Sequence, residues 1–290
     1  MGSHIPNARS RRLTAELRVR REKAGLNWEK VARQMGWSTS KVYRIEADKV
    51  GVILRDVRRL LTLYKVTGAQ REALLELAKQ ARAEGWWHKY ADAIPEWFQF
   101  YVGLEAEATT LRAYESELVP GLLQTEGYAR AILATSPIAR EGDGGALSRR
   151  VEIRRRRQER LIPPPAGENS LTAWFVLNEA VIRRPVGGAE VMRGQLDHLR
   201  EMAAQENVTV QVLPYSAGAH PAMQGPYHLL GFVAADYSDV VYLESLTGST
   251  YLEKAEDVER YGMTFDRLCA QALDPKESDA CIAQAAEELG

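Results

Sequence analysis

The sequence has few cysteines, few histidines and no long apolar run. Its 290 residues include 2 cysteines and 5 histidines. Cys269 and Cys281 are too few for a disulfide framework, and their spacing fits no metal site, which favours a reducing cytoplasm over secretion. No apolar stretch approaches the roughly 18 residues that a membrane-spanning helix needs, so we expect no membrane segment. The opening Met-Gly-Ser-His has no apolar stretch behind it and is interpreted as a tag remnant.

The motifs of common enzyme classes are also missing from the sequence. It contains no His-x-x-x-His and no Cys-x-x-Cys, and its C-terminal histidines are far apart, which argues against a zinc site. It lacks G-x-S-x-G and G-x-x-x-x-G-K-S/T, the signatures of serine hydrolases and phosphate-binding loops. Acidic residues near the predicted strand ends, Glu244 among them, are interpreted as solvated. We therefore expect no catalytic residues, no metal and no cofactor.

The distribution of charge along the chain is uneven. Residues 1–80 contain 18 basic and 8 acidic residues, a net charge of +10, although the whole chain carries only −1. The remaining residues contain 20 basic and 31 acidic residues, a net charge of −11. A basic N-terminal module on an acidic body indicates a polyanionic partner for the first part alone.

The pattern of residues 28–46 predicts two short helices that meet at an angle. Gly36 can adopt the left-handed conformation that ends a helix, and Ser38 suits the N-cap of the next one. Ala32 is small where the helices would cross. The apolar positions expected to face inward are Val31, Met35, Trp37, Val42 and Ile45.

The side chains left on the outside of the second helix are short hydrogen-bonding groups and cations. Such groups suit the base edges and phosphates of a major groove, so this surface is predicted to bind duplex DNA. An ordinary helix pair packed in a core is the alternative, but the positive charge of the module argues against it. The predicted DNA-binding residues are Ser38, Thr39, Ser40, Lys41, Tyr43 and Arg44, together with Trp28 and Lys49.

The segment "LRVRREKAGLNWEKVARQMGWSTSKVYRIE" resembles the first three helices of the XRE (lambda-repressor-like) helix-turn-helix family. The resemblance extends over about 75 residues and implies five short helices within residues 13–84. Trp28 stands where that family usually has a glutamine that contacts the DNA backbone. The resemblance therefore implies an all-α, DNA-binding N-terminal domain.

Aromatic residues are concentrated just beyond this domain, in "EGWWHKYADAIPEWFQFYVG". They could line a small-molecule pocket, but a hydrophobic seam between two modules is the favoured interpretation. Farther on, the helical run Arg154 to Arg157 could reach phosphate or an acidic partner, or could be a solvated face paired with Glu152 and Glu159. The candidate effector- or partner-binding residues are Trp86, Trp87, Trp97, Tyr101 and His220.

The second half of the chain alternates between strand and helix patterns. "LTAWFVL", "VTVQVLPY", "GPYHLLGFVA" and "DVVYLES" are predicted strands, whereas Pro120-Gly121 is expected to break one helix before another begins at Leu122. "YLEKAEDVERYGMTFDRLCAQAL" predicts a helix, and Asp274 and Glu277 predict a capped last helix. The expected fold is multidomain, with an all-α domain followed by a helical connector and a mixed α/β domain. The expected boundaries are 1–12 for a flexible arm, 13–84 for the helix-turn-helix domain, 85–165 for the connector and 166–290 for the effector domain.

A further resemblance involves "ELVPGLLQTEGYARA", "NEAVIRRPVGG", "NVTVQVLPYSAGAH" and "VVYLES" in this order. These segments look like one actinobacterial group of XRE regulators, which resemble antitoxins and are implicated in development and antibiotic production. The resemblance implies a transcriptional regulator, which we expect to be cytoplasmic and nucleoid-associated. Because one short helix-turn-helix buries too little DNA surface for useful specificity, we expect a homodimer that binds a double-stranded operator with inverted-repeat symmetry. Its C-terminal domain would dimerise and bind a metabolite or a small protein encoded beside it.

Two alternatives to this function remain open. One is an enzyme tethered to DNA that acts on a nucleotide or phosphoester through its C-terminal domain. The other is a structural DNA-bridging protein, which would show little sequence preference.

Overall fold

The structure, a computed structural model, describes residues 8–81, 85–135, 144–162, 171–232 and 239–289. It divides into two compact units, Met1–Lys89 and Tyr90–Gly290. None of the helices in the described ranges combines the length and the apolar character that a bilayer crossing needs.

Within the described residues, the first unit contains five α-helices around one apolar core. Helix α1 begins at Ala8, inside the segment expected to be a flexible arm. The Ser10 hydroxyl donates to the buried Asp48 carboxylate at 2.7 Å, which holds the first turn of α1 against the rest of the unit. The bounds are α1 Ala8–Lys23, α2 Trp28–Met35, α3 Thr39–Glu46, α4 Leu54–Leu63 and α5 Gly68–Gln80.

The turn between α2 and α3 forms through the residues that the sequence indicates. The Asn27 side chain accepts a hydrogen bond from the Lys30 amide and begins α2, and Gly36 ends that helix with φ of 69°. The Ser38 side chain accepts from the Lys41 amide and begins α3. Val31, Ala32 and Met35 of α2 pack with Val42 and Ile45 of α3 in the core.

The second unit contains a six-stranded mixed sheet in the order β3-β2-β1-β4-β5-β6. Strands β1, β2 and β3 are parallel neighbours, and β4, β5 and β6 continue the sheet from β1 in antiparallel pairs. The bounds are β1 Thr110–Glu115, β2 Thr172–Asn178, β3 Val208–Leu213, β4 Tyr227–Gly231, β5 Val240–Ser245 and β6 Gly248–Leu252.

Helices cover both faces of this sheet. Phe265 and Leu268 of α11 pack against Tyr114 and Val241 on one face, whereas α6 and α8 lie on the other, which carries Ala113, His228 and Tyr242. The helix bounds are α6 Glu96–Glu107, α7 Glu126–Thr135, α8 Gly144–Gln158, α9 Glu179–Arg183, α10 Ala189–Ala203, α11 Ala255–Gln271 and α12 Pro275–Glu287.

Three elements differ from the sequence prediction. The helix expected to begin at Leu122 begins instead at Glu126, after a short 3-10 turn at Gly121–Leu123. The helix expected before Pro120-Gly121 is instead β1, which lies inside the sheet with β2 and β4 as neighbours. The helix expected from Tyr251 begins at Ala255, because Tyr251 and Leu252 belong to β6 and pair with Tyr242 and Val241. Residues 85–165 therefore do not form a purely helical connector but contribute a central strand to the C-terminal sheet.

Candidate functional site

Helix α3 presents a polar surface because only one of its faces is used by the core. Val42 and Ile45 are 2% and 3% exposed and hold the helix in place. Ser40, Tyr43 and Arg44 are exposed on the other side. The inward stripe therefore leaves adjacent hydroxyl, phenol and guanidinium groups on one solvent-facing surface.

Arg44 and Lys41 differ in how free they are to contact a ligand. Among the described residues, the Arg44 guanidinium has no hydrogen-bond or ion-pair partner. The Lys41 ammonium lies 3.3 Å from an Asp56 carboxylate oxygen and 3.8 Å from the centroid of the Trp37 ring. Lys41 is thus engaged within the domain, whereas Arg44 is available to a partner.

Trp28 is fixed by contacts that join three helices. Its indole N–H donates to Glu46 Oε2 at 2.8 Å. The same carboxylate accepts two hydrogen bonds from Arg21, at 2.7 and 3.0 Å. Although partly exposed, Trp28 is therefore held in a defined position at the start of α2.

Tyr43 lies between an aromatic ring and a cation. Its ring centroid is 5.3 Å from that of Trp28 in an edge-to-face arrangement. The Lys49 ammonium is 5.4 Å from the Tyr43 ring centroid. These contacts orient Tyr43 at the solvent-facing surface, and they place Lys49 beside α3. Ser38 and Thr39 lie at the start of the helix, where Ser38 is the N-cap.

The second unit has a cavity of about 520 Å³ between α6, α8 and one face of the sheet. Helix α8 contributes Arg150, Ile153, Arg154 and Arg157, which share one helical face because they are three or four positions apart. The strands contribute Glu115, His228, Tyr242 and Glu244. The cavity is also lined by Trp97, Phe98, Tyr101, Leu118, Gln124 and Ile132.

A buried ion pair supports one wall of the cavity. Arg157 donates to both carboxylate oxygens of Glu105, at 2.7 and 2.8 Å, and both side chains are almost fully buried. Although burial disfavours its charge, the Glu105 carboxylate raises the pKa of Arg157. The guanidinium also lies 5.1 Å from the Phe98 ring centroid and 5.4 Å from that of Tyr101. Arg157 is therefore a paired structural cation.

A chain of hydrogen bonds continues from Tyr101 to the sheet. The Tyr101 hydroxyl lies 2.7 Å from His228 Nδ1, and His228 Nε2 lies 2.9 Å from Glu115 Oε1. Burial raises the pKa of Tyr101 well above its usual value, with a further contribution from Glu105. The phenol thus keeps its proton, and the hydrogen-bonded chain links α6 to strands β4 and β1.

The cavity contains some of the predicted effector residues and not others. Trp97 and Tyr101 line it, whereas Trp86, Trp87 and His220 do not. Trp86 and Trp87 belong to the first unit and pack edge to face on each other. His220 follows β3, and its Nε2 lies 3.4 Å from the Tyr114 hydroxyl.

The four consecutive arginines have different environments. Arg155 is exposed and paired with Glu152 and Glu159, as the solvated-face interpretation has it. Arg156 lies 3.8 Å from Glu152, whereas Arg157 is buried and Arg154 lines the cavity. The sequence left open that this run reaches a phosphate or an acidic partner, and among its members Arg154 and Arg157 line the cavity. Glu244 is exposed, as expected from the sequence, and it also lines the cavity.

No group of three or more His, Cys, Asp or Glu side chains within the described ranges could hold a metal ion. The cavity contains carboxylates, a histidine and tyrosines, but these are engaged with one another. The arrangement suits binding through shape and charge.

The capped pair of helices α2 and α3, with its exposed polar face, defines a protein with a helix-turn-helix domain. Residues 12–74 match the family model described as a helix-turn-helix domain. Residues 98–284 match the model described as a domain of unknown function, DUF5753, and the chain belongs to that family. No curated protein and no solved structure matches the chain. The helix-turn-helix domain indicates a DNA-binding regulator.

Proposed function

We propose that this protein is a sequence-specific transcriptional regulator of the XRE, antitoxin-like type that reads duplex DNA through residues 28–47. The C-terminal domain is proposed to dimerise and to bind a metabolite or a small partner protein. As a homodimer, the protein would bind an operator with inverted-repeat symmetry, because paired domains read paired half-sites.

The observation that carries the proposal is the exposed face of α3. A recognition helix inserts its outward side chains into the major groove, where arginine can bind guanine through two hydrogen bonds. Arg44 has no partner among the described residues, and Ser40 and Tyr43 are exposed beside it. Asn27, Gly36 and Ser38 fix the direction of this helix through its caps and the turn.

Arg44→Ala tests this proposal. If Arg44 binds a base, its loss should weaken operator binding by about 1 to 3 kcal/mol and relax the preference at one base pair. If it binds a phosphate instead, all sequences should weaken alike and the salt slope should fall by about one. Operators selected from a random-sequence library, followed by fluorescence anisotropy at several salt concentrations, would separate the two outcomes.

The matched control is Lys79→Ala. Lys79 is an exposed cation of the same unit, on α5, and is paired with Glu76 at 2.9 Å. Both substitutions remove one positive charge from the same unit, but only Arg44 lies on α3. Equal losses of affinity in the two variants, with unchanged sequence preference, would contradict the assignment of α3 as the recognition helix.

A further inference from the structure

The cavity between α6, α8 and the sheet contains polar atoms that no other side chain uses. The Arg154 guanidinium has no hydrogen-bond or ion-pair partner among the described residues, and its Nε is buried without one. Gln124 is 5% exposed, and its Oε1 is also buried without a partner. Buried polar groups without partners are costly, so a donor and an acceptor left free beside one cavity indicate a ligand that satisfies them.

We propose that this cavity binds a small molecule with an apolar, aromatic body and one carboxylate, which pairs with Arg154. The inference rests on the proposed effector role and names the class of ligand for it. The volume of about 520 Å³ lies within the range of roughly 300 to 1,000 Å³ that small-molecule sites show.

The charge of Arg154 is the first reason for an anion. Burial, with the like charge of Arg157, lowers the pKa of Arg154 to about 10, so the guanidinium remains charged at neutral pH. Arg157 is neutralised by Glu105, and Arg150 donates through Nε to the Ala93 carbonyl at 2.7 Å. Arg154 is thus a partly buried cation with no ion pair among the described residues, and the charge of Glu244 offsets only part of the cost of its burial.

The carboxylates of the cavity select a monoanion. Glu115 and Glu244 line the same space as Arg154. Glu115 is hydrogen-bonded to His228, and Glu244 accepts from the Tyr242 hydroxyl at 2.7 Å. Like charges at short range disfavour each other, so a doubly charged phosphate would be repelled more strongly than a carboxylate.

The remaining lining suits an aromatic body. Trp97, Phe98, Leu118, Ile132 and Ile153 supply apolar surface, and Gln124 Oε1 offers an acceptor for an N–H or O–H of the ligand. Small-molecule sites combine such a lining with a few oriented polar groups.

A pair of fluorescent probes tests the proposal on the full chain without DNA. 1-Anilinonaphthalene-8-sulfonate has an aromatic body, an N–H group and one negative charge, and N-phenyl-1-naphthylamine is the same body without the charge. We expect Arg154→Gln to weaken binding of the anionic probe at least tenfold, or about 1.4 kcal/mol. Binding of the neutral probe should change less than twofold, which also shows that the cavity is intact.

Two further variants serve as controls. Arg155→Gln removes the same charge from the neighbouring position, where the side chain is exposed and paired, and should leave both probes unaffected. Leu118→Trp adds bulk to a partly exposed lining residue and should weaken both probes. Binding that is equal in the wild type, Arg154→Gln and Leu118→Trp would place the probes elsewhere and overturn the proposal.

Competition identifies the anionic group. We expect 1-naphthylacetate to displace the anionic probe at lower concentration than 1-naphthyl phosphate, and the reverse order would overturn the assignment of a carboxylate. Because DNA is absent from these measurements, failure of the cavity to bind is distinguishable from failure of the protein to bind an operator.

Discussion

At the scale of single residues, position within a helix decides what each basic side chain does. Arg154, Arg155 and Arg157 belong to one run, yet one lines a cavity, one forms surface ion pairs and one is buried with a carboxylate. Successive residues of a helix point about 100° apart, so neighbours in sequence face different environments. Lys41 and Arg44 of α3 differ in the same way, since only Lys41 has an ion-pair partner among the described residues.

Glu46 is expected to stabilise the first unit through its buried carboxylate. Its carboxylate accepts from Arg21 and Trp28, and its side chain is 5% exposed. Glu46→Gln removes the charge that compensates Arg21 and should lower the free energy of unfolding of the first unit by about 3 kcal/mol. Hydrogen exchange of the buried amides of α1 and α3 measures the loss.

Glu22→Gln is the matched control, because Glu22 also contacts Arg21 but is exposed. Exposed ion pairs contribute little, so its exchange rates should match the wild type. If Glu46→Gln exchanged no faster than Glu22→Gln, the Arg21–Glu46 pair would not hold the helices of this unit together.

At the scale of elements, local sequence signals were sufficient to predict the structure where the contacts join residues that are close in sequence. Gly36 and Ser38 were predicted to end α2 and to begin α3 and do so, and the capping box predicted at Asp274 and Glu277 is confirmed. Strand β1 was missed because its partners are residues 172–177 and 227–231, so its conformation depends on pairing that periodicity does not reveal. Tyr251 and Leu252 were assigned to the following helix for the same reason.

The two candidate sites also differ in how far they could be identified from the sequence. The outward face of α3 could be identified from sequence because the alternation of buried and exposed positions lies within one helix. The cavity joins α6, α8 and three strands, so no local pattern brings Arg154 near Glu115 or Gln124. The concentration of aromatic residues in the sequence indicated four candidate residues. Trp97 and Tyr101 line the cavity, whereas Trp86 and Trp87 lie in the other unit.

Two glycines, Gly36 and Gly194, should respond in opposite ways to substitution by alanine. Gly36 ends α2 with φ of +69°, and Gly194 lies on the exposed side of α10 with a φ outside the left-handed range; a Cβ would meet nothing within 4 Å at either position. Gly36→Ala should cost about 1 to 2 kcal/mol, because L-residues avoid the left-handed region. Gly194→Ala should add about 0.5 to 1 kcal/mol through helix propensity. Hydrogen exchange would show faster opening around α2 and slower opening of α10, and effects of the same sign would contradict this account.

At the scale of the whole molecule, charge is divided between the parts of the chain. Residues 1–80 carry +10 and the remainder −11. The positive part favours association with DNA, and the negative part disfavours non-specific contact with it. Under the proposed function, we expect specificity to depend on the side chains of α3 and on how many copies of α3 bind the operator.

The number of protein chains that bind one operator can also be predicted. One helix-turn-helix contacts too few base pairs for a useful specificity ratio, so we expect two chains per operator, held together through residues beyond 85. Half-sites read from one face of B-DNA lie about one helical turn apart. Inserting five base pairs between them rotates one half-site to the opposite face and should lower affinity at least tenfold, to that of a single half-site. Sedimentation of the full chain with each duplex gives the stoichiometry, and anisotropy gives the affinity. One chain per operator, with affinity unchanged by the insertion, would show that the protein reads DNA as a monomer.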